Sequence, residues 1–147
     1  MNSHPQIIPL ENVPMVENGD DLGLVIRKSL DDQSISLQEE DVVCIAQKIV
    51  SKAENRLVNL ADVKPSKEAI ELAGETEKDP RLVELILRES DEIMRKKPGV
   101  LIVRHRLGIV GANAGIDQSN IDHQGGEHAL LLPENPDESA QRLRSAL

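Results

Sequence analysis

One stretch, GANAGIDQSN at residues 111–120, limits what this chain can fold into more than any other. It follows two runs of β-formers, residues 100–103 and 109–110, so a buried strand must end directly against small and polar residues. The small residues leave room for a ligand to approach the backbone, and Gly115 can adopt a positive φ. The sequence therefore predicts a sheet in which one strand ends at a turn able to hold a ligand.

The chemistry of this turn centres on Asp117, its only carboxylate, with Asn113 and Asn120 as neutral polar neighbours. Carboxylate and amide oxygens suit Mg²⁺ or Mn²⁺ carrying phosphates better than zinc, which prefers nitrogen and sulfur. Asp117 is therefore a candidate metal ligand. The alternative is an ordinary turn, because Gly, Asn and Asp are the usual turn-forming residues.

Strand and helix patterns along the chain predict an α/β fold class, an α+β mixed sheet with helices packed on it. Five consecutive apolar residues, 42–46, indicate a buried strand that would hide Cys44, the only cysteine. Asp79 followed by Pro80 predicts the start of a helix, and apolar residues at helical spacing extend that helix to Met94. A final helix is predicted to begin at Pro136.

The composition limits the ligands and partners that can be considered. The chain has no Trp, Tyr or Phe, so a nucleotide must be held through backbone, ions and aliphatic contacts rather than by ring stacking. The net charge of -9 argues against nucleic acid as a partner, because nucleic-acid binders gain affinity by neutralising phosphates. No apolar run approaches the length of a membrane span, about 18 residues, so we expect no membrane association. The single cysteine, which cannot form a disulfide within the chain, fits a cytoplasmic location.

Three segments together resemble one known family: AQKIVSKAE at residues 46–54, DPRLVELILRES at residues 79–90, and ANAGID at residues 112–117. They are similar to the coenzyme F420 γ-glutamyl ligase family, whose members use GTP to attach glutamate to a deazaflavin cofactor. The resemblance implies ligation of L-glutamate to the coenzyme F420 precursor through an acyl phosphate. It also implies GTP, Mg²⁺ or Mn²⁺ and a K⁺ ion as cofactors, and a homodimer when the protein is complete.

The resemblance also implies which residues bind. Asp117 would hold the metal, and no residue is required to act as a nucleophile. The implied nucleotide contacts are Val13, Pro14, Met15, Val16, Gln47, Lys48, Lys52 and Asn120.

Three of these interpretations have alternatives based on the residues themselves. Residues 13–16 also fit a structural edge segment, and Lys52 also fits a solvated lysine beside Glu54. The basic run Arg104, His105 and Arg106 could attract an acidic substrate or could solvate the end of a hairpin.

The resemblance divides the chain into residues 1–95, a nucleotide-facing first part of the ligase domain, and residues 96–147, the start of a second part carrying the ANAGID turn. It covers only the first portion of a family member. In the family, a strand with an Asp-Thr pair that completes the metal site and a Gly-rich GTP-binding segment follow this portion.

A strand followed by a crossover helix normally leads into another parallel strand, so we expect a truncated, incomplete copy of the fold. Leu143 and Leu147 of the final helix should then be uncovered. Besides the ligase, a non-catalytic nucleotide-binding or dimerisation module of the family stays open.

Overall fold

The structure, a computed structural model, describes residues 4–118 and 127–147. These residues form helices and strands that together make a mixed α/β fold, so the predicted fold class is confirmed. The helices are α1 (Leu22–Asp32), α2 (Gln47–Ala53), α3 (Lys67–Thr76), α4 (Pro80–Arg88) and α5 (Pro136–Ala146). The strands are β1 (Leu57–Asn59), β2 (Ser90–Lys97), β3 (Val100–His105), β4 (Val110–Ala112) and β5 (His128–Leu130).

Both sheets formed by the described strands are antiparallel. β1 pairs with β5, with Val58 opposite Ala129. β2, β3 and β4 pair in that order, with Ile93 opposite Val103 and Val103 opposite Gly111. The pairing of β4 with β3 places the end of β4, where the ANAGID turn begins, beside the centre of β3.

Helices α1, α3 and α4 each begin at a side chain that accepts a hydrogen bond from a free backbone N–H group. The carboxylate of Asp21 accepts a hydrogen bond from the Leu24 N–H, and the Asp79 carboxylate accepts one from the Arg81 N–H. The Ser66 hydroxyl does the same for the Ala69 N–H at the start of α3. The α4 start was predicted correctly, because Pro80 occupies the first turn directly after the Asp79 cap.

The described chain divides into two compact units. The first contains residues 4–55 and the C-terminal segment Pro136–Leu147, and the second contains Arg56–Asn135. The resemblance implies a different division, at residue 95, between two functional parts, and that division stays a prediction. The second unit holds the larger core, in which Val83 and Ile86 of α4 and Leu101 and Val103 of β3 are fully buried.

The first unit has a small apolar cluster of Val16, Leu22 and Val50, and Leu143 packs against it. The expectation that Leu143 would be uncovered is therefore wrong. Residues far apart in the sequence complete this cluster, because α5 returns to pack against α1. The two helices approach closely: a Cβ built on Gly23 would lie 2.8 Å from the Cβ of Ala146.

Two secondary-structure predictions are wrong. The helix from Asp79 ends at Arg88 rather than Met94, because residues 90–97 pair with β3 and leave Met94 exposed on the strand. Residues 42–46 form no strand, and Val42 is 84% exposed. Cys44 is likewise exposed rather than buried. A short apolar run indicates burial only where another surface covers it, and no described strand pairs with this one.

None of the helices within residues 4–118 and 127–147 is long and apolar enough to cross a lipid bilayer.

Candidate functional site

The ANAGID turn is tightly wound directly after β4. Asn113, Ala114 and Gly115 all have positive φ, at 52°, 55° and 69°. Gly115 thus adopts the conformation that its sequence position predicts, and it also lies against Leu132: a Cβ added there would approach the Leu132 side chain to 3.0 Å. Ala114 is buried in the same left-handed conformation, which is uncommon for a residue other than Gly, Asn or Asp.

Two hydrogen bonds to Leu130 hold the backbone of Asp117 in place. Its N–H donates to the Leu130 carbonyl at 3.0 Å, and its own carbonyl accepts from the Leu130 N–H at 2.8 Å. This isolated antiparallel bridge ties the turn to β5, which carries Leu130. The Asp117 side chain is half-buried and its Oδ2 atom is buried. The predicted metal ligand therefore lies in a rigidly held backbone, with part of its carboxylate below the surface.

Asn113 contributes a second buried oxygen. Its Oδ1 atom is buried and has no hydrogen-bond partner among the described residues. A buried acceptor without a partner costs about 1–3 kcal/mol, so such atoms are rare in folded proteins. The sequence showed Asn113 only as a polar neighbour of Asp117, because the surroundings of a side-chain oxygen depend on the folded turn.

The candidate nucleotide contacts at residues 13–16 lie in the first unit without regular secondary structure. Val16 is buried in the apolar cluster with Val50 of α2, whereas Met15 is 80% exposed. Val13 and Pro14 are also exposed. The structure thus brings residues 13–16 and helix α2 together through Val16 and leaves three exposed neighbours beside it.

Gln47, Lys48 and Lys52 all lie on helix α2, which directly follows residues 42–46, where the sequence predicted a strand. The Gln47 Nε2 donates to the Ser51 hydroxyl at 2.9 Å, one turn further along the helix. Lys48 and Lys52 are half-buried. Asn120, the remaining candidate nucleotide contact, lies outside the described residues.

The surroundings of Glu54 bear on the alternative interpretation of Lys52. The Glu54 carboxylate lies 2.7 Å from the Nη2 of Arg142, and it accepts a short hydrogen bond from the Ser139 hydroxyl. Both partners come from α5, in the same unit. Glu54 is therefore engaged by Arg142, and a lysine beside it is not required to balance its charge.

Arg104 and His105 of the basic run divide between the surface and the interior, because successive residues of a strand face opposite sides. Arg104 is exposed and pairs with Glu92 at 2.7 Å. His105 is buried, with the Leu107 N–H donating to its Nδ1 at 3.0 Å and its Nε2 3.4 Å from Glu89. Arg106 also faces Glu89, at 3.3 Å. The interpretation in which all three residues solvate the end of a hairpin is therefore wrong for His105, which is buried.

Glu89 is the centre of a buried charge cluster that sequence reasoning missed. Its Oε2 accepts from the Nη2 of Arg56 at 2.7 Å, and the Arg56 Nε donates to the Leu132 carbonyl at 2.8 Å. Burial lowers the pKa of His105, although the nearby Glu89 carboxylate acts in the opposite direction. The cluster therefore holds the segment at Leu132, which packs against Gly115 of the ANAGID turn.

The oxygens of the ANAGID turn are the type that a hard divalent cation prefers. Asp117 offers a carboxylate and Asn113 an amide oxygen, each with a buried atom. Mg²⁺ and Mn²⁺ take such oxygens, whereas zinc takes nitrogen and sulfur. Within the described ranges, no three His, Cys, Asp or Glu side chains come together as a metal-binding group. The turn thus fits part of a cation's ligand set.

The comparisons with known proteins cover almost the whole chain. Residues 11–147 match the sequence model of the family described as F420-0:Gamma-glutamyl ligase. A relative from Methanothermobacter thermautotrophicus, named coenzyme F420:L-glutamate ligase, is 43% identical over 141 residues, covering 96% of this chain and 55% of the relative. A relative of the same name from Methanopyrus kandleri is 45% identical over 140 residues, covering 95% and 52%.

A third relative of that name, from Halorubrum lacusprofundi, is 40% identical over 149 residues and covers 97% of this chain and 55% of its own length. The chain therefore spans about half the length of the curated relatives it matches.

Proposed function

This chain belongs to the F420-0:gamma-glutamyl ligase family, and we propose that it takes part in attaching L-glutamate to the deazaflavin precursor of coenzyme F420. The observation that carries the proposal is the match of residues 11–147 to the family, together with 43% identity over 141 residues to a relative named for this reaction. Because the chain covers only 55% of that relative, the activity, substrates and partners of the longer protein are proposals for this one.

The proposed reaction forms an amide at the expense of GTP. The γ-phosphoryl group of GTP passes to the terminal carboxylate of the precursor, which yields an acyl phosphate and GDP. The amine of L-glutamate then attacks the acyl carbon, loses a proton, and displaces inorganic phosphate. Neither step needs a covalent bond to the protein, so the protein's contribution is positioning and charge neutralisation.

In the first unit, we assign nucleotide contacts to residues 13–16 and to Gln47, Lys48 and Lys52. The supporting observation is that Val16, which directly follows the exposed residues Val13 to Met15, shares one apolar cluster with Val50 of helix α2. Lys52 would act on phosphate as a mobile point charge, which suits an ammonium group. An aliphatic surface is also what a chain without aromatic residues must use against a base.

In the second unit, we assign the divalent cation, Mg²⁺ or Mn²⁺, to Asp117. Such an ion would supply positive charge to phosphate oxygens. The half-buried carboxylate and its rigid backbone bridge to Leu130 support this assignment. Asn120 as a further nucleotide contact, a K⁺ ion, a homodimer and a cytoplasmic location remain predictions.

A second candidate function is a nucleotide-binding or dimerisation module without catalysis. The small number of metal ligands favours this module. A single carboxylate holds Mg²⁺ weakly, because the ion gives up its water reluctantly. Among the described residues, no three Asp, Glu, His or Cys side chains come together as a metal-binding group. This module would keep the contacts of the first unit and perform no chemistry.

One experiment separates these functions. The 147-residue chain is incubated with GTP, Mn²⁺, L-glutamate and the coenzyme F420 precursor, and the glutamylated product is measured by mass spectrometry alongside GDP. Product that depends on both GTP and the metal supports the ligase. GTP binding measured by calorimetry, with no product, supports the module. Neither binding nor product would overturn both functions for this chain.

A further inference from the structure

The ANAGID turn contains an oxygen acceptor that the fold itself does not use. The Oδ1 atom of Asn113 is buried, and within residues 4–118 and 127–147 nothing donates a hydrogen bond to it. Burial of an amide oxygen without a hydrogen-bond donor is unfavourable, because the oxygen loses its hydrogen bonds to water. A buried acceptor that persists at such a cost indicates a ligand that satisfies it.

The backbone holds this oxygen in place at a further cost. Asn113, Ala114 and Gly115 are three successive residues with positive φ, and Ala114 is also buried. Left-handed conformations are unfavourable in residues other than glycine and persist where the surroundings enforce them, commonly at functional sites. Here the turn is enforced by Leu132 against Gly115 and by the backbone bridge between Asp117 and Leu130.

The chemistry of the Asn113 and Asp117 side chains indicates which kind of ligand would bind at the turn. An amide oxygen binds a donor or a cation, and the carboxylate of Asp117, four residues further along the chain, adds negative charge that disfavours an anion. Neutral amide and charged carboxylate oxygens together match the ligands of a hard divalent cation. We propose that Asn113, through Oδ1, supplies a second protein oxygen for the divalent cation assigned to Asp117. This inference rests on the metal dependence in the proposed function.

The test measures Mn²⁺ binding to the 147-residue chain, with Mn²⁺ alone as the probe and its paramagnetic resonance signal as the readout. Asn113→Gly removes the oxygen while retaining the left-handed backbone, and Asn113→Asp keeps the oxygen and adds a charge. Asn55→Gly is the matched control, because Asn55 is an exposed asparagine with φ 57° in the other unit. Circular dichroism verifies that each variant is folded.

We expect Asn113→Gly to weaken Mn²⁺ binding about tenfold, as loss of a metal-site partner does, and Asn55→Gly to leave it unchanged. Asn113→Asp should bind Mn²⁺ more tightly than the unaltered chain, and this comparison decides the matter if Asn113→Gly does not fold. Equal affinity in Asn113→Gly, or weaker binding in Asn113→Asp, overturns the inference while leaving the proposed function standing. If the unaltered chain does not bind Mn²⁺, the metal assignment in the proposed function fails, and this inference fails with it.

Discussion

The Nη2 atom of Arg56 lies 2.7 Å from the Oε2 of Glu89, and the two side chains are only 17% and 9% exposed. Arg106 approaches the same carboxylate oxygen at 3.3 Å, and the buried His105 at 3.4 Å. A carboxylate withdrawn from water in this way requires its partners, since the loss of one member leaves charge uncompensated in a medium of low dielectric constant. Glu89 is therefore the electrostatic centre of the second unit.

Glu89→Gln should lower the free energy of unfolding by about 3 kcal/mol, because it leaves the buried guanidinium of Arg56 without its counter-charge. Urea denaturation measures the change. The matched control is Glu92→Gln, which breaks an ion pair to Arg104 of equal length, 2.7 Å, between side chains that are about half exposed. That change should cost less than about 1 kcal/mol, since exposed ion pairs contribute little. Equal costs for the two variants would contradict the central role of Glu89.

The second prediction concerns the pH dependence of stability. Burial lowers the pKa of His105 from its ordinary value of 6.5, and the Leu107 N–H donates to its Nδ1, so the folded protein holds a neutral imidazole. Below pH 6.5 the unfolded chain binds a proton at this residue more readily than the folded chain. The free energy of unfolding should thus fall as the pH drops from 6.5 through the lower pKa of the folded state.

The slope from one such group is at most about 1.4 kcal/mol per pH unit, and urea denaturation at several pH values measures it. His105→Asn retains an acceptor for the Leu107 N–H and should remove this slope. His4→Asn, at an exposed position in the other unit, should leave it in place. An unchanged slope in His105→Asn would assign the pH dependence to other groups.

The third prediction uses the close approach of α1 and α5. Gly23→Ala should destabilise the chain by about 1–3 kcal/mol, because the new Cβ would lie 2.8 Å from that of Ala146 and the helices must separate. Gly74→Ala is the control within α3, where nothing lies within 4 Å of the added atom. Alanine is the better helix former, so this change should stabilise by about 0.5–1 kcal/mol. Thermal denaturation of both variants should show a lower melting temperature for Gly23→Ala and a higher one for Gly74→Ala.

Local signals in the sequence predicted the features that local chemistry determines. The helix start at Asp79 and Pro80 and the positive φ of Gly115 each depend on one or two residues, and both are present. The helix predicted to reach Met94 failed because pairing with β3 converts residues 90–97 to a strand. Helical spacing of a few apolar residues does not reveal that competition, since strand pairing depends on residues elsewhere in the chain.

The candidate site divides in the same way. Asp117 was predicted as a metal ligand from residue type and from the resemblance, and the structure places it half-buried, with its backbone bonded to Leu130. The buried oxygen of Asn113 and the Glu89 cluster were missed, because both depend on which side chains meet in space. The burial of His105 could have been predicted from the sequence, because successive residues of β3 face opposite sides and Arg104 is exposed.

The last prediction tests the nucleotide assignment on α2. Lys52→Gln should weaken GTP binding by about tenfold, or 1.4 kcal/mol, because it removes a positive charge from a half-buried position while keeping much of the side chain's length. Lys28→Gln, which removes an equal charge from an exposed position on α1, should change binding little. Calorimetric titration with GTP compares the two variants, and the difference should shrink with added salt if charge is the cause. Equal weakening in both variants would mean that the net charge of the chain, rather than Lys52 itself, governs GTP binding.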